Sequence, residues 1–306
     1  MSKANVIEQT QSKAAELQAL ADMFLASKGV AKVEDAKEAK LPEPAAASTE
    51  LNLLIGVPCF GGLVNHLTTS MLINICRHLD RKEIPHTLIF IANESLISRA
   101  RNFYASVAAF GEDSSGKKYS HLLQIDSDQS FDAGWIFKML DADLPVVGLP
   151  CSRKSLNFGQ ISEAAKRGIP QESLSEFGGS PVLAINKSFV ISDDPAPVVH
   201  IGTGVVCISV EKCLRPLAEA FPERRYRPNC NNGYEPKLEW HHDFFRVGVR
   251  DTTYLSEDYT FCEDCLKIGI QPYVLPLART LHIGQFPFVM NMSAVGSLLA
   301  AVGQNK

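Results

Sequence analysis

The chain has 306 residues, and 30 Lys and Arg against 34 Asp and Glu give a formal net charge of −4. With 45% apolar and 21% charged residues, the composition excludes wholesale disorder and is typical of one large or two small globular domains of about 150 residues. The slight acidity argues against a protein built to coat nucleic acid or an anionic membrane.

No apolar run reaches the ~20 residues that a membrane-spanning helix needs, and the N-terminus carries no apolar signal core. We therefore expect a cytoplasmic protein with no transmembrane segment. Eight cysteines are present, and without a secretory signal we expect them to be reduced and mostly buried. Cys262 and Cys265 form a lone C-x-x-C, which lacks the second pair of ligands that a structural zinc site needs.

The first 48 residues are expected to stand apart from the rest of the chain. Residues 5–28 carry apolar side chains at helical spacing, and the following stretch, KVEDAKEAKLPEPAAASTE, has the composition of a linker. The helix either docks on the body of the protein or serves as an arm for oligomerisation or partner binding. The sequence does not favour one role over the other.

From residue 51 onward, short apolar runs alternate with helical patterns, which is typical of an α/β fold. We predict a Rossmann-like mixed central sheet flanked by helices, preceded by the N-terminal helical extension. In the first half, the predicted strands are 51–57, 86–92, 121–125 and 144–150, and the predicted helices are 64–79, 93–110 and 131–143. Asn93 is the expected N-cap of the helix that begins there.

The second half is less regular. The predicted elements are a strand or hairpin at 181–191, one strand across 200–210, helices at 211–221 and 256–269, and strands at 270–276 and 279–284. Residues 222–246 form a long polar loop rich in aromatics, of the kind that can act as a substrate lid. The tail, residues 287–306, is expected to form a helix packed on the body.

The strongest chemical signal is Asp126-Ser127-Asp128, which follows the buried strand 121–125. The carboxyl edge of an open α/β sheet is where ligands bind. Two carboxylates there suit Mg²⁺ or Mn²⁺, ions that commonly bridge substrate phosphates. The alternative is that these aspartates only cap the local turn.

A second signal is the loop Pro58–Gly62, PCFGG, after the first strand. Its glycines would let the backbone approach a nucleotide, although a plain tight turn is an equal alternative. The loop matches neither G-x-G-x-x-G nor the P-loop pattern.

Arg99 and Arg101 follow the second strand, where arginines either bind phosphate or carboxylate or lie on a helix surface.

Three residues late in the chain complete the set of candidates. Glu257 and Asp258 begin a helix, where acids complement the helix dipole and where a catalytic base would also be well placed. His282 ends a predicted strand, and it becomes a third metal ligand only if the fold brings it to Asp128.

In chain order, these features resemble the nucleotide-sugar-dependent glycosyltransferases of the GT-A fold. The resemblance covers about residues 51–286, from P-C-F-G-G through N-E-S-L-I-S-R-A-R-N, I-D-S-D and Gly202-Thr203-Gly204 to Glu257-Asp258 and His282. The first motifs are similar to family-2-type enzymes carried by large phages, and R-A-R-N before D-x-D is similar to a class of fungal mannosyltransferases.

The resemblance implies a site. The residues it assigns to donor binding are Pro58, Cys59, Phe60, Asn93, Arg99, Asp126, Ser127 and Gly204. Asp126 and Asp128 would hold Mn²⁺ or Mg²⁺ against the donor's diphosphate, with His282 as a third ligand. Glu257 or Asp258 would face the acceptor and serve as the base of an inverting enzyme, although relatives with a retaining mechanism leave the stereochemistry open.

The same resemblance implies a domain layout: residues 49–306 would form the GT-A-like domain, with a nucleotide-binding half at 49–150, an acceptor half at 151–286 and the C-terminal helix. The donor would be a UDP- or GDP-sugar. The acceptor would be a glycan, a lipid or modified nucleic acid. Other open readings are a sugar nucleotidyltransferase, a two-metal nuclease or phosphatase, and a non-catalytic sugar- or partner-binding module.

Overall fold

The computed structural model of the protein describes residues 50–185, 189–228, 238–284 and 287–296. The predicted N-terminal helix and linker lie outside these residues, as do residues 297–306 of the predicted C-terminal helix. In the described part of that helix, residues 287–290 form a strand and residues 292–296 are helical. None of the helices in the described ranges has the length and apolarity that crossing a bilayer requires.

The helices of the described ranges match the predicted ones in number and place for most of the chain. They are α1 (His66–Arg81), α2 (Ile97–Phe110), α3 (Gly134–Asp141), α4 (Phe158–Lys166), α5 (Arg215–Ala220) and α6 (Glu257–Lys267). α4 is an addition, because no helix was predicted between residues 150 and 181.

The strands of the described ranges are two to seven residues long. They are β1 (Leu53–Cys59), β2 (His86–Ala92), β3 (His121–Ile125), β4 (Gln129–Phe131), β5 (Val146–Gly148), β6 (Leu183–Ile185), β7 (Ala196–Ile201), β8 (Val205–Ser209), β9 (Arg225–Tyr226), β10 (His241–His242), β11 (Gly248–Arg250), β12 (Thr253–Leu255), β13 (Pro272–Val274), β14 (Thr280–Ile283) and β15 (Pro287–Met290). The predictions for β2 and β3 are confirmed at both ends.

Eight strands form one mixed sheet in the order β2-β1-β3-β8-β5-β13-β7-β6. β1 is parallel to β2 and β3, and β13 is parallel to β5. β8 lies between β3 and β5 and is antiparallel to both. Consequently β3 and β5 run in the same direction, and the carboxyl ends of β1, β2, β3, β5 and β13 share one edge. The predicted α/β class with a mixed sheet is confirmed.

Helices cover both faces of this sheet. Successive side chains of β1 point to opposite faces, and both sets are buried, so each face needs a covering layer. Leu54 packs into one buried cluster with Tyr104 of α2 and Phe261 of α6. Its neighbour Ile55 packs into the other cluster, against Ile75 of α1 and other side chains of α1 and α3. Strands from both halves of the chain lie between these layers.

A smaller antiparallel sheet, β15-β14-β4, stands beside the carboxyl edge of the large one. β14 pairs with β4, which places His282 opposite Gln129. A strand from the end of the chain is thereby tied to the segment that directly follows Asp128.

Three predictions about elements are wrong. The tail begins with the strand β15 (Pro287–Met290), which pairs with β14, where a helix was predicted. Residues 200–210 form not one strand but the end of β7 and all of β8, because Gly202-Thr203-Gly204 breaks the chain between them. The helix predicted from Asn93 begins only at Ile97, and Asn93 has a positive φ of 60°. Just before the helix, the Leu96 N–H donates a hydrogen bond of 3.0 Å to Oε1 of Glu94.

The cysteine prediction is confirmed for the seven cysteines in the described ranges, which are all free, with only Cys76 less than fully buried. The Sγ atoms of Cys213 and Cys265 lie 3.7 Å apart. In the same ranges, no three or more His, Cys, Asp or Glu side chains are grouped as a metal site would require.

Candidate functional site

The Asp126-Ser127-Asp128 turn lies at the carboxyl edge of the large sheet, between β3 and β4. The Asp126 N–H donates to the Gly204 carbonyl (2.8 Å), and the Gln129 N–H donates to the Asp126 carbonyl (3.0 Å). A Cβ on Gly204 would lie 3.3 Å from Asp126 Oδ2 and 3.2 Å from Cys151 Sγ. Gly204 therefore permits the close approach that orients the first carboxylate of the motif.

Arg101, in α2, holds that carboxylate. Its Nη2 donates to both oxygens of Asp126 (3.0 and 3.2 Å), and its Nε donates to Glu257 Oε1 (3.3 Å). Nη1 donates to Gln124 Oε1 and to the Thr203 carbonyl, each at 3.0 Å. The Arg101 side chain is only 4% exposed. One buried guanidinium thus joins the strand-end aspartate to the first turn of α6.

Burial raises the pKa of Asp126, and the positive charge of Arg101 opposes that rise. Burial also disfavours the charged form of Arg101, but Asp126 and Glu257 outweigh it and raise the pKa of the guanidinium. The arginine therefore stays charged and is the main support for an ionised Asp126.

Asp128, the second carboxylate, faces two cationic or potentially cationic side chains. Lys154, which follows β5, makes a short hydrogen bond to Asp128 Oδ2. His282 Nε2 lies 3.3 Å from Asp128 Oδ1, and its Nδ1 lies 2.6 Å from the Ser152 carbonyl. Burial acts to raise the pKa of Asp128, but the hydrogen bonds from His282 and Lys154 outweigh it and hold the pKa below its usual range.

The predicted position of His282 is therefore met: the fold does bring it to Asp128. The pairing of β14 with β4 places His282 there. A 2.7 Å hydrogen bond from the Ile283 N–H to the Asp128 carbonyl adds to this pairing. Because a carbonyl can only accept, Nδ1 of His282 carries the proton at Ser152. Nε2 is then available to face Asp128 across either a proton or a metal ion.

The two acids of α6 differ in their surroundings. Glu257 is bound to Arg101 at the sheet edge. Asp258 Oδ1 accepts a short hydrogen bond from Ser256 Oγ and one of 2.8 Å from the Tyr259 N–H. Asp258 also lies close enough to Arg101 to favour its charged form. Both predicted acids thus lie near the Asp-x-Asp turn, and Glu257 is the one that hydrogen-bonds to Arg101.

The loops after β1 and β2 meet at the same edge. The Asn93 N–H donates to the Cys59 carbonyl (3.2 Å), and the Asn65 N–H donates to the Ser127 carbonyl (2.9 Å). Phe60 is 77% exposed. The thiol of Cys59 is buried, which raises its pKa to about 11. Because the thiol is buried, a ligand here would meet the backbone at Cys59 and the ring of Phe60.

Arg99, predicted as a donor-binding residue, is not the arginine that reaches the Asp-x-Asp turn. Its Nε and Nη2 each donate to Glu94 at 2.6 Å. Two residues further on, α2 turns Arg101 toward the sheet edge instead, as helical spacing requires for side chains about 200° apart.

Lys154 is the functional candidate that sequence reasoning missed. It lies in Cys151-Ser152-Arg153-Lys154, just beyond β5, and β5 ends at the same edge as β3. Basic residues after a buried strand were the available signal, since the carboxyl ends of strands with one direction meet at one edge. Arg153 also takes part, because it hydrogen-bonds to the Tyr259 side chain.

Part of the loop 222–246, the predicted lid, lies in residues 229–237, outside the described ranges. On its flanks, the guanidinium carbons of Arg225 and Arg227 lie 4.5 and 4.6 Å from the ring centre of Trp240. This cation–π arrangement joins the two ends of the loop.

The residues fit a divalent ion only in part. No three-ligand cluster forms in the described ranges, and Asp126 is already bonded to Arg101. Asp128 Oδ1 and His282 Nε2, at 3.3 Å, are spaced like neighbouring ligands of one ion. Mg²⁺ is commonly held by one or two carboxylates together with substrate phosphates. The arrangement therefore suits an ion shared with a bound diphosphate.

The sequence matches no protein-family model, and no curated protein shows significant similarity to it. The residues gathered at the sheet edge are therefore the basis for assigning a function.

Proposed function

We propose that the protein is a metal-dependent glycosyltransferase of the GT-A type, which moves a sugar from a nucleoside diphosphate to an acceptor hydroxyl. The observation that carries the proposal is that Asp128 pairs with His282 and Lys154 in the same turn in which Arg101 joins Asp126 to Glu257. Those groups come from distant parts of the chain. A plain turn-capping role for the aspartates would not require this gathering.

Donor binding is assigned to the edge formed by the loops after β1 and β2 and by the Asp-x-Asp turn. Phe60 offers an exposed ring for a nucleobase, and stacking of a base on an aromatic side chain contributes about 1–3 kcal/mol. Asp128 and His282 would hold Mn²⁺ or Mg²⁺, and Lys154 adds a second positive charge for the diphosphate.

Such an ion, when bound, offsets the negative charge that develops on the departing diphosphate. Asp258 accepts the proton of the acceptor hydroxyl in this proposal. Arg101 opposes the protonation of Asp126 and fixes Glu257, so the donor side and the acceptor side keep one relative position. The mixed sheet with this turn at its carboxyl edge supports the GT-A assignment.

Calorimetry with UDP and GDP tests the donor site. We expect binding with Mn²⁺ and at least about tenfold weaker binding in EDTA, and Asp128→Asn should remove the difference between the two conditions. Asp141→Asn, the same substitution at an exposed position at the end of α3, is the matched control and should bind like the parent. Equal affinity in Mn²⁺ and EDTA for the parent would eliminate the metal role.

Reaction products separate the proposal from its rivals. Slow release of sugar and nucleoside diphosphate from a UDP- or GDP-sugar, with water as acceptor, supports the glycosyltransferase. Release of pyrophosphate from a sugar 1-phosphate and a nucleoside triphosphate would instead identify a nucleotidyltransferase. Cleavage of nucleic acid that depends on Asp126 and Asp128 would identify a nuclease.

A further inference from the structure

A cavity of about 400 Å³ lies between α6 and the segment that contains β11. This volume falls in the range of small-molecule sites, roughly 300–1,000 Å³. It is lined by Arg224, Arg246, Val247, Gly248, Val249, Arg250, Asp251, Thr260, Glu263 and Lys267. None of the residues assigned above to the donor or acceptor site is among them, so the cavity is a separate feature.

The cavity lining carries four cations but only two carboxylates, Asp251 and Glu263. Arg224, Arg250 and Lys267 all depend on Asp264, at 2.6, 2.8 and 3.7 Å, and Asp264 is 1% exposed. One buried carboxylate thus faces three positive charges. Burial acts to raise the pKa of Asp264, but the hydrogen bonds from Arg250 and Arg224 outweigh it and lower the pKa, so Asp264 contributes one full negative charge and no more.

Two other acids near these cations, Glu263 and Asp243, are shared or engaged only at long range. Glu263 lies 3.5 Å from Arg250 and also 3.5 Å from His200. Arg246 lies 3.7 Å from Asp243, which is too long for a hydrogen bond. The lining therefore keeps an excess of positive charge and of guanidinium N–H groups.

Two polar atoms at this cavity are buried without a hydrogen-bond partner in the described part of the chain, Thr260 Oγ1 and Arg224 Nε. Thr260 is 1% exposed. Arg224 Nε comes no nearer to Glu223 Oε1 than 3.6 Å. A buried polar group without a partner is costly and calls for an explanation. Both atoms are donors, so an acceptor would satisfy both.

We propose that this cavity binds a phosphate group. A phosphate supplies the negative charge that the cations lack and several acceptor oxygens, and arginines bind it in bidentate fashion. The volume exceeds that of one phosphate, which leaves room for the rest of a small phosphorylated molecule. Free phosphate is the other source of this group. The site is distinct from the donor site, and it does not depend on the proposed transfer activity.

Titration calorimetry of the full chain with inorganic phosphate and with glucose 6-phosphate, at constant ionic strength in EDTA, tests the proposal. Both ligands are expected to bind. Tighter binding of glucose 6-phosphate assigns the site to a phosphorylated molecule, and equal binding assigns it to free phosphate.

The decisive variant is Arg246→Gln with Lys267→Gln, which removes two cavity cations that are 44% and 55% exposed, so that folding is preserved. We expect at least tenfold weaker phosphate binding. The matched control is Arg227→Gln with Lys118→Gln, which removes the same charge from exposed side chains elsewhere and should bind like the parent.

Asp128→Asn separates this site from the donor site, and phosphate binding should survive it. The proposal is overturned if the parent binds neither ligand, if the cavity variant binds as well as the control, or if Asp128→Asn removes the binding.

Discussion

The guanidinium of Arg101 bonds to Asp126 and to Glu257 at once, although Glu257 lies 156 residues further along the chain. The contact is buried and joins the turn after β3 to the first turn of α6. Its geometry makes Arg101 a positioning residue for both carboxylates.

A double-mutant cycle of Arg101→Gln and Glu257→Gln measures this link. We expect Arg101→Gln alone to destabilise the protein by about 2 kcal/mol, because it leaves a partly buried Asp126 without its cation. The coupling between the two substitutions should be about 1 kcal/mol, since the side chains touch. Urea unfolding gives both values.

The matched control cycle combines Glu257→Gln with Arg167→Gln, whose arginine instead pairs with Glu163 at 2.9 Å. Its coupling should be near zero. A coupling near zero in the Arg101 cycle as well would show that the contact with Glu257 contributes nothing.

Asp258→Asn should leave donor binding unchanged and slow sugar transfer at least about 100-fold, the usual scale for losing a general base. Asparagine keeps the shape and the side-chain oxygen that accepts from the Tyr259 N–H. Donor affinity by calorimetry and transfer rate by product release are measured on the same preparation. Loss of donor binding would place Asp258 at the diphosphate, and a parental rate would place the base elsewhere.

Gly56→Ala should destabilise the sheet by about 2 kcal/mol, as overpacking of a core does. A Cβ at Gly56 would lie 2.5 Å from Cγ of Tyr104, which is fully buried. The ring is also fixed by its hydroxyl, which accepts a 3.1 Å hydrogen bond from the Ile91 N–H. Thermal or urea unfolding checks the loss.

Gly248→Ala is the control for that substitution, because nothing lies within 4 Å of the added Cβ. It should change stability by no more than about 0.5 kcal/mol. A similar small effect at Gly56 would mean that Tyr104 moves aside freely.

Acidification should destabilise the protein through His121. Burial lowers the pKa of His121 to about 4, whereas an unfolded histidine titrates near 6.5. The unfolded chain therefore takes up this proton first, and stability falls as the pH drops from about 6.5 to about 4. Between pH 7 and pH 4.5 the expected loss from this one residue is about 2 kcal/mol.

His121→Asn isolates that contribution from those of other buried histidines. Urea unfolding at the two pH values should show a smaller acid loss in the variant than in the parent. An identical loss in both proteins would exclude His121 as the source.

The parts of the fold that the sequence predicted best are two strands of the first half. β2 and β3 are mainly apolar runs with turn residues at both ends, so local pattern fixes their limits. The break between β7 and β8 was missed because apolar residues continue on both sides of Gly202-Thr203-Gly204. Only the pairing of the two strands with different neighbours separates them.

The candidate site was predictable in its residue types but less so in its contacts. Asp126 and Asp128 follow from a strand end, and the placement of His282 depends on β14 pairing with β4, which no local pattern specifies. The choice of Arg101 over Arg99, and the approach of Lys154 to Asp128, depend on side-chain direction and on a neighbouring strand. These are tertiary facts, and local periodicity carries no information about them.

The insertion of β8 between β3 and β5 has a consequence for biosynthesis. β3 ends at Ile125 and β8 begins at Val205, 80 residues later, so the ribosome needs roughly 5–15 s to supply the missing strand at typical elongation rates. During that interval the facing backbone groups of β3 and β5 lack their partner, and such edges readily pair with other chains. A nascent chain that stops before Val205 should therefore aggregate or recruit chaperones, whereas one that extends past Ser209 should not.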